Sequence, residues 1–339
     1  MLYDDIVDFD NLLAAYREAR KGKRYRGEVA GYTARLEEKL LNLHNHLVWQ
    51  TWEPSRAREF VVLEPKMRRI QAPPFPDRIV HHALVDLVEP MFERRFIDHS
   101  YACRKGKGTH AAILSLQKML RQCRRNWGTV YVVQADVSQF FASVNHDAVM
   151  AQAERVIDCD RTLNLWRTIL GAYGHEDGIG LPVGALTSQL SANIVLDRVD
   201  HAMTDNKGAG RYLRYMDDIV ILAPSKQQAH KRLNQLAGEI AYSGLKLNPK
   251  TCIKPASAGV DWCGYRTWST HILPRKRNVK RFKRDMQRAS RKFSRGQATV
   301  ADFRQKVNSY LAYAKHCNAW DTTNSILNNL TLRRDDENH

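Results

Sequence analysis

The chain has 339 residues, with 53 Lys and Arg against 36 Asp and Glu, for a formal net charge of +17. That length suggests two or three domains, and 43% hydrophobic residues supply enough apolar material for real cores, which excludes wholesale disorder. No apolar run approaches the roughly 18–20 residues of a membrane span, and the acidic start Met1-Leu2-Tyr3-Asp4-Asp5 lacks the basic-then-apolar pattern of a secretory signal. The cysteines, at 103, 123, 159, 252, 263 and 317, contain no C-x-x-C pair. This argues against structural zinc and a disulfide framework and fits a reducing, cytoplasmic setting with no membrane partner. The positive surplus favours a polyanionic partner, because each neutralised phosphate releases condensed counterions; a basic surface with no dedicated partner is the competing account.

In chain order, an amphipathic helix is expected over 8–20, then a basic turn, Lys21-Gly22-Lys23-Arg24, then a helix over 31–48. Arg58–Leu63 and Arg68–Ala72 read as a hairpin whose turn contains Pro65. Pro73, Pro74 and Pro76 break the chain; Asp77 can cap a helix running to about 94, and Thr109 another over 110–124. Thr129–Val133 is a β-branched apolar run that suits a buried strand. Helices follow at 146–156 and 161–172, then a Gly-rich turn (Gly178, Gly180, Gly184) and a helix over 187–204. Tyr212–Tyr215 and Ile219–Leu222 flank Met216-Asp217-Asp218 in a hairpin pattern, followed by a helix over 226–242 and strands near 251–254 and 261–266. The mixture predicts an α+β fold with helices on one face of the sheet.

From about residue 270 the pattern is helical. Arg275 to Arg295 holds eleven Lys and Arg and one acid, Asp285, while Phe282, Met286, Ala289 and Phe293 recur every three or four residues. Such a helix packs one face and offers the other to backbone phosphates; a merely solvated face is the alternative.

Two acidic sites end apolar strands: Asp136 after Val130–Ala135, and Asp217-Asp218 at a hairpin tip. Asp in a tight turn is ordinary. Three carboxylates on strand ends of one sheet, however, can converge on two divalent cations about 4 Å apart and so stabilise an in-line phosphoryl displacement. In a basic chain this points to nucleotidyl transfer.

Tyr215-Met216-Asp217-Asp218 resembles the Tyr-x-Asp-Asp box of reverse transcriptases, and Asp136-Val137-Ser138-Gln139-Phe140-Phe141 their first aspartate motif, with an aromatic five residues after the Asp. Glu64–Ile70, Asp77–Val80 and Tyr101–Arg104 through Gly108–His110 resemble the fingers motifs of group II intron-like bacterial enzymes. Trp262-Cys263-Gly264-Tyr265 resembles the primer-grip turn. Leu181–Gln189 resembles the Gly-x-x-x-Ser-Gln signature of reverse transcriptases from diversity-generating retroelements, with Gln189 where intron and retron enzymes usually carry Pro.

The resemblance implies a right-hand polymerase of fingers (1–128), palm (129–267, with a fingers-like helical insertion about 148–180) and helical basic thumb (268–339), with an antiparallel palm sheet. It implies two Mg²⁺, replaceable by Mn²⁺, held by Asp136, Asp217, Asp218 and the Val137 carbonyl. Lys66 and Arg68 match positions that hold the incoming triphosphate, assisted by the Gln139 and Phe140 amides, with Gly184 and Gln189 in the same pocket. Phe141 matches the steric gate that excludes a ribose 2′-hydroxyl. Lys250 matches a lysine that protonates pyrophosphate, and Lys246 is close enough to compete. Val183 stands where many of these enzymes place Gln. The missing hydrogen bond, typically worth about 1–3 kcal/mol, would relax fidelity; packing under the template strand is the alternative. Arg275, Lys276, Arg277, Lys280, Arg281, Arg284 and Arg288 are the candidate backbone contacts.

Arg104–Thr109 lacks Walker spacing and reads as a phosphate-gripping helix start or a capped turn. Of His81-His82, one packs and one is solvated; His44 and His46 give no better signal. Trp127, Trp166 and Trp320 read as core.

The implied function is copying a template-repeat RNA into adenine-error-bearing cDNA, with deoxynucleoside triphosphates, the RNA–cDNA duplex and a small, basic, oligomeric accessory variability protein as partners. The alternatives are a compact group II intron-type reverse transcriptase with maturase activity and, from another class, a catalytically silent RNA-binding scaffold. With the sequence ending soon after the expected thumb helices, no RNase H or endonuclease domain is expected within it.

Overall fold

The computed structural model describes residues 1–63, 67–172, 178–205 and 211–333, and of Arg68 and Arg69 the backbone only. Helices α1 (Leu2–Val7) and α2 (Phe9–Ala19) meet at Asp8, whose carboxylate accepts from the Asp10 and Asn11 amides and caps α2. The single helix expected over 31–48 is two, α3 (Gly27–Thr33) and α4 (Leu36–Val48). The break is at Arg35, where the backbone leaves the helical region (φ −128°, ψ 46°), while the Thr33 hydroxyl in the last turn of α3 donates to the Val29 carbonyl (2.7 Å) and bonds the Tyr16 hydroxyl (2.8 Å). Strands β1 (Arg58–Val62) and β2 (Arg68–Ala72) pair antiparallel, Arg58 opposite Ala72; the turn with Pro65 lies outside the described residues.

Helix α5 (Phe75–Glu93) starts after Pro74 at its N-cap and carries Pro76 in its first turn, where a missing N–H costs no hydrogen bond. Asp77 therefore does not cap it; its carboxylate accepts from the Ser55 amide (2.8 Å) and hydroxyl (3.3 Å). Likewise Gly108, at φ 115°, takes the N-cap of α6 (Thr109–Trp127), and Thr109 is its first residue. Then come β3 (Tyr131–Asp136), α7 (Phe140–Ser143), α8 (His146–Ala153), α9 (Asp160–Gly171), α10 (Leu186–Thr204), β4 (Tyr212–Tyr215), β5 (Asp218–Ala223) and α11 (Lys226–Tyr242). Last are β6 (Cys252–Pro255), β7 (Val260–Trp262), β8 (Tyr265–Thr267), β9 (Ile272–Pro274), α12 (Lys276–Ser294), α13 (Val300–Ala314) and α14 (Trp320–Asn328). The one strand expected over 261–266 is a hairpin, because Cys263 and Gly264 both have positive φ (49° and 87°), as a two-residue turn requires.

The chain forms two compact units: Met1–Arg104, Ala135–Gly210 and Leu233–Thr251 in one; Lys105–Gln134, Arg211–Arg232 and Cys252–His339 in the other. In the first, α5 and α10 are buried on most faces, through Phe75, Ile79, Leu84 and Val88 on one and Leu190, Ile194, Leu196 and Val199 on the other. Each such side chain contributes about 1.5–3 kcal/mol. His81, 1% exposed, shares a 2.9 Å hydrogen bond with the Thr187 hydroxyl and so joins these helices, while His82 is half-buried.

The second unit holds a four-stranded sheet, order β4-β5-β3-β6, in which β4–β5 and β3–β6 are antiparallel, and a three-stranded antiparallel sheet, β7-β8-β9. Strand β3 passes into the first unit between Gln134 and Ala135. A helical core gathers Phe282, Met286, Tyr310, Ala314 and Ile326 from α12, α13 and α14, with Phe282 and Tyr310 rings stacked 3.7 Å apart. Trp166 is fully buried and Trp127 half-buried, but Trp320 is 75% exposed. It opens α14, whose Thr323 and Ile326 are buried, at the first residue of the helix. Among the described residues no helix is long and apolar enough to cross a membrane.

Burial lowers the His81 pKa to about 3. Unfolding lets it take a proton with a pKa near 6.5, so this contribution to stability is full above that pH and declines as pH falls toward 3. Going from pH 7 to pH 5 should remove about 2 kcal/mol through this group. Urea unfolding at the two pH values should show that loss in the parent and a smaller one in His81→Gln.

Candidate active site

Strand β3 buries Val132, Val133 and Ala135 and ends on a half-buried Asp136. Beyond it the chain pairs with 246–248. The Asn248 amide donates to the Asp136 carbonyl (2.7 Å), the Ser138 amide donates to the Lys246 carbonyl (2.8 Å), and Val137 lies opposite Leu247. In that register Val137 sits at a non-hydrogen-bonded position, so its own carbonyl points away from 246–248. Asn248 also donates from Nδ2 to Asp136 Oδ2 (3.0 Å) and accepts the Lys250 N–H on Oδ1 (3.0 Å). Lys246 and Lys250 are both exposed on this turn. Asn248-Pro249 signals a turn in sequence, but nothing local reveals its partner 112 residues away.

After Asp136 the chain turns through Gln139, an exposed residue at φ 46°, into α7. Non-glycine residues enter this left-handed region at a cost, and they concentrate at functional turns. Phe140 is buried and packs edge-on against Phe141 with centroids 5.6 Å apart. The Phe141 carbonyl accepts the Leu181 N–H (2.6 Å) and the Val144 carbonyl the Gly180 N–H (2.8 Å). The end of the first aspartate motif is thus bonded to the start of the Leu181–Gln189 box within the first unit. Val183 and Gln189 are half-buried. Gly184, at φ 108°, adopts a conformation that favours glycine, and a Cβ there would lie 3.8 Å from Ile70 Cγ2 of β2. Lys66 and the side chain of Arg68 lie outside the described residues.

In the second unit, β4 and β5 are joined by Met216-Asp217, with Tyr215 opposite Asp218 and Met216 at φ 55°. Arg214, fully buried, donates to the Met216 carbonyl (3.1 Å) and pins this turn. Asp217 is half-buried and Asp218 exposed. The Tyr215 ring meets Trp262 edge-on at 6.5 Å, which brings the Tyr-Met-Asp-Asp hairpin to the Trp262–Tyr265 turn. Burial, and then the negative charge of Asp218, push the Cys263 thiol well above its ordinary range, with Arg275 opposing. That turn is held by a residue absent from the sequence-based site, Tyr313. Its hydroxyl donates to the Gly264 carbonyl (2.6 Å) and accepts from the Arg275 amide (3.1 Å) and Asn278 Nδ2 (3.2 Å), and its ring stacks on Tyr265 at 4.7 Å. The basic candidates divide: Lys276, Arg277, Lys280, Arg281, Arg284 and Arg288 are exposed on α12, whereas Arg275 is ion-paired with Asp261.

Asp136 thus belongs to the first unit and Asp217 and Asp218 to the second. Among the described residues, no group of three or more His, Cys, Asp and Glu is gathered for metal binding. The individual donors are hard oxygens, the chemistry that Mg²⁺ and Mn²⁺ prefer.

The reverse transcriptase (RNA-dependent DNA polymerase) family model matches residues 62–267, more than half of the chain, including both aspartate motifs, the Leu181–Gln189 box and the Trp262–Tyr265 turn. The chain is 27% identical over 277 residues to Protein YkfC of Escherichia coli K12, covering 69% of this chain and 72% of that one. It is 24% identical over 173 residues to the group II intron-encoded protein LtrA of Lactococcus lactis subsp. cremoris, covering 48% of this chain but only 28% of that relative. A weaker likeness in structure, TM-score 0.49 at 12% identity over 83% of this chain and 56% of the other, is to telomerase from Candida albicans solved with a telomeric RNA fragment; at that level it carries no functional argument. The family match, enclosing the motifs whose local geometry is described above, places this chain in the reverse transcriptase family, the RNA-directed DNA polymerases.

Proposed function

We propose that this reverse transcriptase serves a diversity-generating retroelement, copying a template-repeat RNA into cDNA with errors concentrated opposite adenine. The observation that carries this reading is the Gly184–Gln189 box itself, with Gln189 in its last place and Val183 before it; the Leu181 N–H to Phe141 carbonyl hydrogen bond, which joins the start of Leu181–Gln189 to the first aspartate motif, is in keeping with it. Identity to an intron-encoded protein favours a second reading, a compact group II intron-type reverse transcriptase with maturase activity. Against the silent-scaffold reading stand Asp136 and Asp218 at strand ends and Asp217 in the turn before β5, all inside the family match.

The gathering of Asp136, Asp217, Asp218 and the Val137 carbonyl around two divalent ions, Mg²⁺ or Mn²⁺, is part of the proposal. Such ions supply charge neutralisation for the attacking 3′-oxygen and the leaving pyrophosphate. The chain's own residues do the rest. Lys66 and Arg68 hold the triphosphate, aided by the Gln139 and Phe140 amides. The Phe141 ring excludes a 2′-hydroxyl. Lys250 delivers a proton to pyrophosphate, and Trp262, Cys263, Gly264 and Tyr265 hold the primer end. The division into fingers (1–128), palm (129–267) and thumb (268–339), the bacterial or phage-infected cytoplasm and the basic accessory protein belong to the same proposal.

Primer extension on an RNA template with Mg²⁺, with sequenced products, tests it. Errors opposite adenine support the retroelement reading, accurate extension favours the intron type, and Asp217→Asn/Asp218→Asn should abolish extension. Val183→Gln should lower adenine errors by roughly tenfold to hundredfold, the range expected for about 1–3 kcal/mol of discrimination. If the Gln139 backbone rather than its side chain binds nucleotide, Gln139→Gly should leave the nucleotide KM unchanged. Gln139→Val should raise that KM and lower stability by about 1–2 kcal/mol, read by urea unfolding. Replacing Lys280, Arg284 and Arg288 with Gln should flatten the slope of log affinity for template–primer against log salt by about 2–3.

A further inference from the structure

We propose that Asn248 is a positioning residue for nucleotidyl transfer, an inference that rests on Asp136 being a cation ligand. Residue 248 makes four hydrogen bonds within the first unit. Its N–H donates to the Asp136 carbonyl (2.7 Å), Nδ2 donates to Asp136 Oδ2 (3.0 Å), Oδ1 accepts the Lys250 N–H (3.0 Å) and its carbonyl accepts the Thr251 N–H (2.9 Å). One carboxamide therefore ties the Asp136 carboxylate to the turn that carries Lys250.

The side chain's chemistry suits both duties. A carboxylate offers roughly four lone-pair sites, and the single amide donor engages one, so most of the coordinating capacity of Asp136 is kept. A neutral donor also leaves the carboxylate's full charge, whereas Lys or Arg in this place would neutralise it and compete with a cation. Aspartate would lack the donor, serine would keep a turn acceptor without the reach to Asp136, and glutamine would displace both ends. With one oxygen held, the Asp136 carboxylate loses its freedom to rotate before an ion arrives. The same side chain sets where the Lys250 backbone stands relative to Asp136.

The test uses full-length protein without nucleic acid and Mn²⁺ as the probe, with binding read by electron paramagnetic resonance and Lys250 amide exchange by mass spectrometry. Asn248→Ser should keep Lys250 amide protection through its hydroxyl and weaken Mn²⁺ binding by about 10–100-fold, as loss of a partner to a metal ligand typically does. Asn248→Ala should lose both. Extension by Asn248→Ser should fall in kcat, recover as Mn²⁺ is raised, and leave the template–primer KM unchanged. Parent-level Mn²⁺ affinity in Asn248→Ser and Asn248→Ala, with Asp136→Asn impaired, overturns the positioning role alone. Parent-level affinity in Asp136→Asn overturns the cation-ligand reading and this inference with it.

Discussion

Asp136 is half-exposed at the end of a strand whose preceding residues are buried, and most of the candidate chemistry depends on how that end is held. A carboxylate that is to meet a cation needs one side open and the other restrained. Burial of Val132, Val133 and Ala135 anchors β3. The paired segment 246–248 restrains the strand just beyond it, through backbone bonds to Asp136 and Ser138 and a side-chain bond to the carboxylate. The same register turns the Val137 carbonyl away from its partner strand. Geometry useful for coordination therefore follows from ordinary antiparallel pairing, with one asparagine added.

The turns that carry the motifs are conformationally costly. Gln139, Met216 and Cys263 adopt positive φ without being glycine. Each occupies a motif turn: after the first aspartate, at the Tyr-Met-Asp-Asp tip, and in the Trp262–Tyr265 hairpin. Such a conformation persists only where surroundings over-determine it, and here they do. Gln139 sits between the 136–138 pairing and a buried Phe140, Met216 is pinned by buried Arg214, and Cys263 is flanked by β7 and β8 with Tyr313 bonded to Gly264. These contacts hold short loops in single shapes, which is what a site that positions a primer end and a triphosphate requires.

The basic helix shows how one element serves packing and charge together. Phe282 and Met286 of α12 share a core with Tyr310 and its neighbours and Ala289 is buried as well, so the remaining positions can be Lys and Arg exposed to solvent. Arg275, just before the helix, is drawn instead into a pair with Asp261, and its amide is held by Tyr313. The hairpin turn and the start of α12 are thereby tied within one unit through a single tyrosine.

Much was legible in the sequence because it is local. A β-branched apolar run marked β3, a hairpin pattern marked β4–β5, an amphipathic pattern marked α2 and a three-to-four-residue spacing marked α12, and the aspartates stood where apolar runs stop. The misreadings were local as well. Arg35, at φ −128° and ψ 46°, splits one expected helix, Pro74 and Gly108 take caps assigned to Asp77 and Thr109, and Trp320 opens a helix exposed to solvent. What the sequence by itself determined is the element pattern, the motifs and hence the reverse transcriptase family. What only the tertiary structure decided is which distant residues restrain those motifs: Asn248 for Asp136, Leu181 for Phe141, Thr187 for His81, Tyr313 for Gly264. The reason is physical. A hydrogen bond acts over about 3 Å, and only folding brings residues dozens to more than a hundred positions apart within that reach.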